Sequence, residues 1–90
     1  MANTKSAQKR NRVAEKRRLR NAAVRTSVRT AIKNAREAIA SKDPQRAVEA
    51  IRAATQTLDK AASKGVLHAR NAARRIARLA HAWARQAAQK

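Results

Sequence analysis

Ninety residues carry 23 Lys or Arg against five Asp or Glu, a formal charge of +18, and 43% of the chain is nominally hydrophobic. Most of that hydrophobic content is Ala; the bulkier apolar set is five Val, four Ile, four Leu, Met1 and Trp83, enough for one small core and too little to wall a deep catalytic cleft. The absence of Cys excludes a disulfide framework and thiolate metal sites, and no apolar run approaches a membrane span or a signal-peptide core.

One Gly, one Pro, no Phe and no Tyr, beside abundant Ala, Arg, Lys, Leu and Gln, favour helix over sheet. The predicted fold class is all-α: a three-helix bundle with a long N-terminal helix projecting from it. The first helix is expected over about 6–41. In its second half Val24, Val28, Ile32, Ala35 and Ile39 recur at helical spacing, with Arg18, Arg25, Arg29 and Arg36 along a flank. Its first half is cationic all round: Lys5, Lys9, Arg12 and Lys16 lie on one side, Arg10 and Arg17 on another, Arg18 on a third. A helix with no apolar face gains nothing from packing, so this segment needs an anionic partner to be stable, and as a helix it would reach roughly 20 Å beyond the bundle. The chain therefore reads as one domain, 1–90, with a basic arm over 1–20 and a bundle over 21–90.

Ser41-Lys42-Asp43-Pro44 combines a stop with a new start, since Asp43 suits an N-cap and Pro44 suits the first helical position. The second helix, 44–63, is expected to turn Val48, Ile51, Ala54, Thr55, Leu58 and Ala62 inward and to expose Glu49, Arg52, Asp59 and Lys60. Gly65, after Lys64, ends it by adopting the left-handed conformation. In the third helix, 68–88, Ala69, Ala72, Ala73, Ile76, Leu79, Ala80, Trp83 and Ala87 share one arc, opposite Arg70, Arg74, Arg78, His81 and Arg85. Trp83 thus belongs to the core rather than to a base-stacking surface.

The charge is segregated. Residues 1–36 hold 12 Lys or Arg and only Glu15; 37–63 hold four of each sign; 64–90 hold seven Lys or Arg and no acid. Two basic segments flank a neutral brace, the footprint of a polyanion-binding protein. The 15 Arg outnumber the eight Lys, which favours multidentate phosphate contacts over loose neutralisation. Catalysis finds no support: the five acids form no close pair, there is no Gly-rich phosphate loop or HExxH helix, and His68 and His81, thirteen residues apart, read as polar or phosphate-facing residues rather than metal ligands. Thr26, Ser27 and Thr30 have no neighbouring base and read as hydroxyl donors to phosphate or as plain helix surface. No enzymatic activity, cofactor, metal or small-molecule substrate is expected. A membrane-surface helix would need bulky apolar residues among its charges, and the most cationic segment offers only Val13 and Leu19. The alternative is a nucleoid-type DNA-compacting protein.

Three ordered stretches resemble the S-twenty family of bacterial small-subunit ribosomal proteins. They are the opening from Met1 to Arg10; Arg25-Thr26-Ser27-Val28-Arg29-Thr30-Ala31-Ile32-Lys33; and Lys64-Gly65-Val66-Leu67-His68 followed by Asn71-Ala72-Ala73-Arg74 and Arg78-Leu79. Gln8 and the Ala-rich end around Trp83 depart from that pattern. The resemblance implies a cytoplasmic, ribosome-bound protein that contacts 16S ribosomal RNA directly during small-subunit assembly, alongside other components of the subunit. By position, the RNA contacts would come from Asn3, Lys5, Ser6, Lys9, Arg10, Arg12, Arg17 and Arg18 in the arm, to which the cationic pattern adds Lys16. The middle stretch would supply Arg25, Ser27, Arg29, Thr30 and Lys33, and the last Lys64, His68, Arg70, Arg74, Arg75 and Arg78.

Overall fold

In the computed structural model, which describes residues 4–88, Thr4 Oγ1 accepts the Ala7 N–H (3.3 Å) and α1 runs unbroken over Lys5–Ala40. The helix stops at Lys42, which takes a left-handed φ of 62° and donates its N–H to the Ile39 carbonyl (3.2 Å). Ser41 completes this cap. Its hydroxyl donates to the Ala38 carbonyl (2.6 Å) and accepts the Asp43 N–H (3.4 Å), relaying the longer bond that a Schellman turn makes directly.

Asp43 then caps α2 (Pro44–Ser63), Oδ1 accepting the Gln45 N–H at 3.1 Å and the Arg46 N–H at 3.4 Å. Pro44 sits at the first turn, where its missing N–H costs nothing. At the other end Gly65 has φ 77°, and both Schellman bonds are present at 3.0 Å: Gly65 N–H to the Ala62 carbonyl and Val66 N–H to the Ala61 carbonyl. His68 starts α3 (Ala69–Ala88) as its cap, Nδ1 accepting the Arg70 N–H at 3.1 Å. Each expected helix boundary lies within one residue of the one observed.

The three helices run up, down and up. One end of the core joins Ala35 and Ile39 of α1, Ala47 and Ala54 of α2, and Leu79 of α3, with Trp83 packed against them; the other joins Val28, Leu58, Ala61 and Ala72. Trp83 is half-buried and packs against this end of the core, the side its position on the arc implied. Two stripes are corrected. Val48 is 44% exposed, and its place is taken by Ala47, which with Ala54 and Ala61, at intervals of seven residues, forms a seam of small side chains where α2 approaches its neighbours. In α3 the buried arc is rotated: Ala69, Ala73, Ala80 and Ala87 are exposed, whereas Arg75, Ala82 and Gln86 are half-buried. Alanines offer too little area to orient a helix; Ile76, Leu79 and Trp83 set its rotation instead.

α1 would span ~54 Å against ~30 Å for each partner helix at 1.5 Å per residue, so its first turns have no neighbour along their length. The extents are 66 × 21 × 15 Å and the radius of gyration is 17.9 Å, where a compact chain of this length would have roughly 12 Å. From Lys5 to Arg20 every residue but Ala7 is exposed. Followed backwards from Val28 through Val24 and Asn21, the inward stripe meets Arg17, Ala14 and Arg10 with only Val13 beside them, too little apolar surface to hold a partner there. No helix among the described residues is long and apolar enough to cross a membrane.

Candidate nucleic-acid interface

Every charged side chain among the described residues stays out of the core, and helical phase decides where each cation falls. Arg18, Arg25, Arg29 and Arg36 share one flank of α1, since steps of seven and four residues return to nearly the same angle, and of these Arg29 and Arg36 lie opposite α3. Across from them, α3 presents Arg74, Arg75 and Arg78. A cleft of about 230 Å³ between the two helices is lined by Arg36, Asn71, Arg74, Arg75 and Arg78 over an apolar floor of Ile32, Leu79 and Ala82. A second depression, lined by Arg29, Ile32, Lys33, Arg36, Glu37 and Arg75, shares three of these residues, so the two form one groove. Asn71 organises it: its Oδ1 accepts from Arg75 Nε (3.0 Å) and Arg74 Nη2 (3.4 Å).

A further cationic cleft, about 490 Å³, lies where the arm meets the α2–α3 turn; Arg17, Arg20, Asn21 and Val24 line it from α1, Lys64 and Val66 from the turn. The Gly65 turn thus delivers Lys64 to the base of the arm. Beyond it, Ser6, Lys9, Arg10 and Arg17 share a shallow groove with Val13 and Ala14, while Lys5, Arg12 and Lys16 are exposed elsewhere around the helix. Arg18 is engaged by Glu15 at 2.6 Å, the one ion pair among the described residues and an exposed one, easily exchanged for a phosphate. Asn3 lies outside the described residues.

Ser27 and Thr30 are separated from the arginine row. They line the opposite groove, between α1 and α2, with Thr26, Asn34, Arg46 and Glu49 above a floor of Ala31, Ala50 and Ala53. The Ser27 hydroxyl donates to the Ala23 carbonyl (3.1 Å) and that of Thr26 to the Ala22 carbonyl (3.0 Å). Their protons are spent within the helix, so these two hydroxyls offer acceptor lone pairs, and the expected donation to phosphate is left to Thr30. His68 and Arg70 stand exposed at the start of α3. Because His68 Nδ1 accepts the Arg70 N–H, the neutral ring carries its proton on Nε2, the nitrogen left to donate.

Sequence reasoning missed Arg36, Arg20 and Asn71. Arg36 stood in the arginine row without a role, though its phase matches Arg29. Asn71 sits three and four residues before Arg74 and Arg75, a spacing at which helical side chains meet. No group of three or more His, Cys, Asp or Glu suited to a metal ion occurs among the described residues.

The sequence of this chain has close relatives among known proteins. The family model for ribosomal protein S20 matches residues 2–84. The small ribosomal subunit protein bS20 of Anaeromyxobacter dehalogenans strain 2CP-C is 58% identical over 88 residues, covering 98% of this chain and 96% of the relative. That of Anaeromyxobacter sp. strain Fw109-5 is 57% identical over 90 residues, the full length of both. The Streptomyces avermitilis protein of the same name is 55% identical over 80 residues, 89% of this chain and 91% of its own. Matches of that extent place the chain in the ribosomal protein S20 family.

Proposed function

We propose that this chain is a structural component of the small ribosomal subunit that binds 16S ribosomal RNA directly and helps it assemble, without catalysing a reaction. The observation that carries this reading is the α1–α3 groove, where cations from two helices converge with Glu37 as the only carboxylate lining it. Such a groove fits closely spaced phosphates, and rigid helices fix the spacing, so binding is electrostatic in strength and selective for a folded RNA whose backbone matches. The single domain divides its work. The bundle, 21–90, presents Arg25, Arg29, Lys33, Arg74, Arg75 and Arg78 in a fixed array, with Lys64, His68 and Arg70 at its arm end. The arm, 1–20, offers Lys5, Lys9, Arg10, Arg12, Lys16, Arg17 and Arg18 to phosphates on several sides, with Ser6 and Asn3 as polar contacts. Ser27 and Thr30 bring a second groove to the RNA, where an acceptor such as Ser27 Oγ suits a ribose 2′-hydroxyl. The names of the relatives support the ribosomal setting, and with it a cytoplasmic location. A competition assay at near-physiological salt tests the proposal: a 16S ribosomal RNA fragment should outcompete duplex DNA, and equal affinity would return the DNA-compacting alternative.

A further inference from the structure

α1 and α3 share the smallest of the three helix–helix interfaces, yet their facing edges concentrate the bundle's positive charge. Arg36 on one side and Arg74, Arg75 and Arg78 on the other line a single cleft, with Ile32, Leu79 and Ala82 as its apolar floor. Like charges across so thin an interface oppose its closure. Asn71, to which the charge pattern gives no task, is half-buried in this cleft. Guanidinium groups only donate, so the two bonds from Arg75 Nε and Arg74 Nη2 fix Oδ1 toward the arginines and leave Nδ2 free to donate. Two arginines are thereby tethered at the edge of a partly open cleft of about 230 Å³, with room for a tetrahedral oxyanion and its waters.

Resting on the ribosomal-RNA reading above, we propose that this cleft seats one phosphodiester group between Arg36 and the Arg74–Arg75 pair that Asn71 positions, and that the bound anion clamps α3 onto α1. RNA then completes the packing of this side of the bundle as well as docking on it.

The test is thermal unfolding of the full chain, read by Trp83 fluorescence, against inorganic phosphate at millimolar concentrations, with ionic strength held constant by chloride. The wild-type Tm should rise saturably by about 5 °C. Asn71→Ala should start near the wild-type Tm and need about tenfold more phosphate for the same rise. Arg36→Ala should start at or above the wild-type Tm, a repelling charge being gone, and lose the phosphate-specific rise; a merely structural role would lower the starting Tm instead. Arg52→Ala, on the outer face of α2, should keep the full rise. A wild-type response no greater than that to chloride, or an equal response in all variants, overturns the seat even where the 16S fragment still binds. In a parallel titration Arg36→Ala and Asn71→Ala should bind the 16S fragment about tenfold more weakly. A specific phosphate response without preference for 16S RNA over duplex DNA would keep the seat and remove the ribosomal reading.

Discussion

Replacing Gly65 by Val should destabilise the bundle by about 2–3 kcal/mol, and the structure bounds the figure from two directions. A Cβ at Gly65 would meet nothing within 4 Å, so no clash contributes and the whole cost lies in the backbone at φ 77°. An L-residue held in that region costs about 1–2 kcal/mol, and a β-branched one more. The chain can escape the strain by leaving the left-handed region, but it then forfeits the two 3.0 Å bonds to the Ala61 and Ala62 carbonyls, worth about 1 kcal/mol each. Either route ends near the same total. Gly65→Ala should cost about 1 kcal/mol. Pro44→Ala should cost under about 0.5 kcal/mol, because Asp43 still caps α2. Lys42→Gly should have the opposite sign: it relieves a φ of 62°, and after the added freedom of the unfolded chain a gain of about 0.5 kcal/mol remains. Urea unfolding followed by circular dichroism and by Trp83 fluorescence is the assay, since the sole aromatic residue reports directly on the docking of α3. With about 4–8 °C of Tm per kcal/mol in a domain of this size, Gly65→Val should melt at least 8 °C early. A melting point within 2 °C of wild type, or equal effects of Gly65→Val and Pro44→Ala, would refute the assignment of the turn.

Leu58, with no exposed surface, should cost about 3–5 kcal/mol on truncation to Ala, whereas Val48→Ser should change stability by less than about 0.5 kcal/mol; comparable losses in denaturant midpoint would contradict the corrected α2 stripe. His68→Ala should lose about 1 kcal/mol with the cap, and His68→Asn should recover most of it by offering Arg70 N–H another acceptor, as paired thermal melts would show. Removing residues 1–20 should leave the unfolding of the bundle nearly unchanged while weakening RNA binding, and the salt dependence should shrink by about 0.7–0.9 in log–log slope for each phosphate the arm no longer neutralises. In the free protein the amides of Lys9 to Leu19 should exchange quickly and gain protection on RNA; strong protection without RNA would reveal a packing surface that neither their exposure nor their charge provides.

The turns were legible because their chemistry is local. Asp43-Pro44 and Lys64-Gly65 announce a cap, a first helical turn and a left-handed residue without reference to the rest of the chain, and the observed hydrogen bonds supply each of them. Lys42 was not legible in this way: nothing in its side chain marks a left-handed φ, which Ser41 makes tolerable by bridging the Asp43 N–H to the Ala38 carbonyl. Helix rotation was legible only where bulky residues fix it. Val28, Ile32 and Ile39 oriented α1 correctly, but in α3 the alanines were counted as equals of Ile76 and Leu79, and the arc was drawn toward Ala73 and Ala80, which are exposed. At the candidate interface, composition and charge segregation identify the cationic segments, yet the pairing of Arg36 with Arg75 across two helices depends on how α1 and α3 meet. Assignment to phosphate by residue type also treated Ser27 as a donor, while its hydroxyl proton is held by the Ala23 carbonyl.

The most direct test of the account is a crosslinking map of the full chain bound to 16S ribosomal RNA, with photoreactive residues placed one at a time on each face. Crosslinks should concentrate at the arm from Lys5 to Arg20 and at positions beside Arg29, Arg36, Arg74 and Arg78, and the outer face of α2 around Val48 and Arg52 should give none. Crosslinks clustered on that neutral face, with the α1–α3 groove silent, would contradict the proposal that the paired cationic helices form the RNA-binding surface.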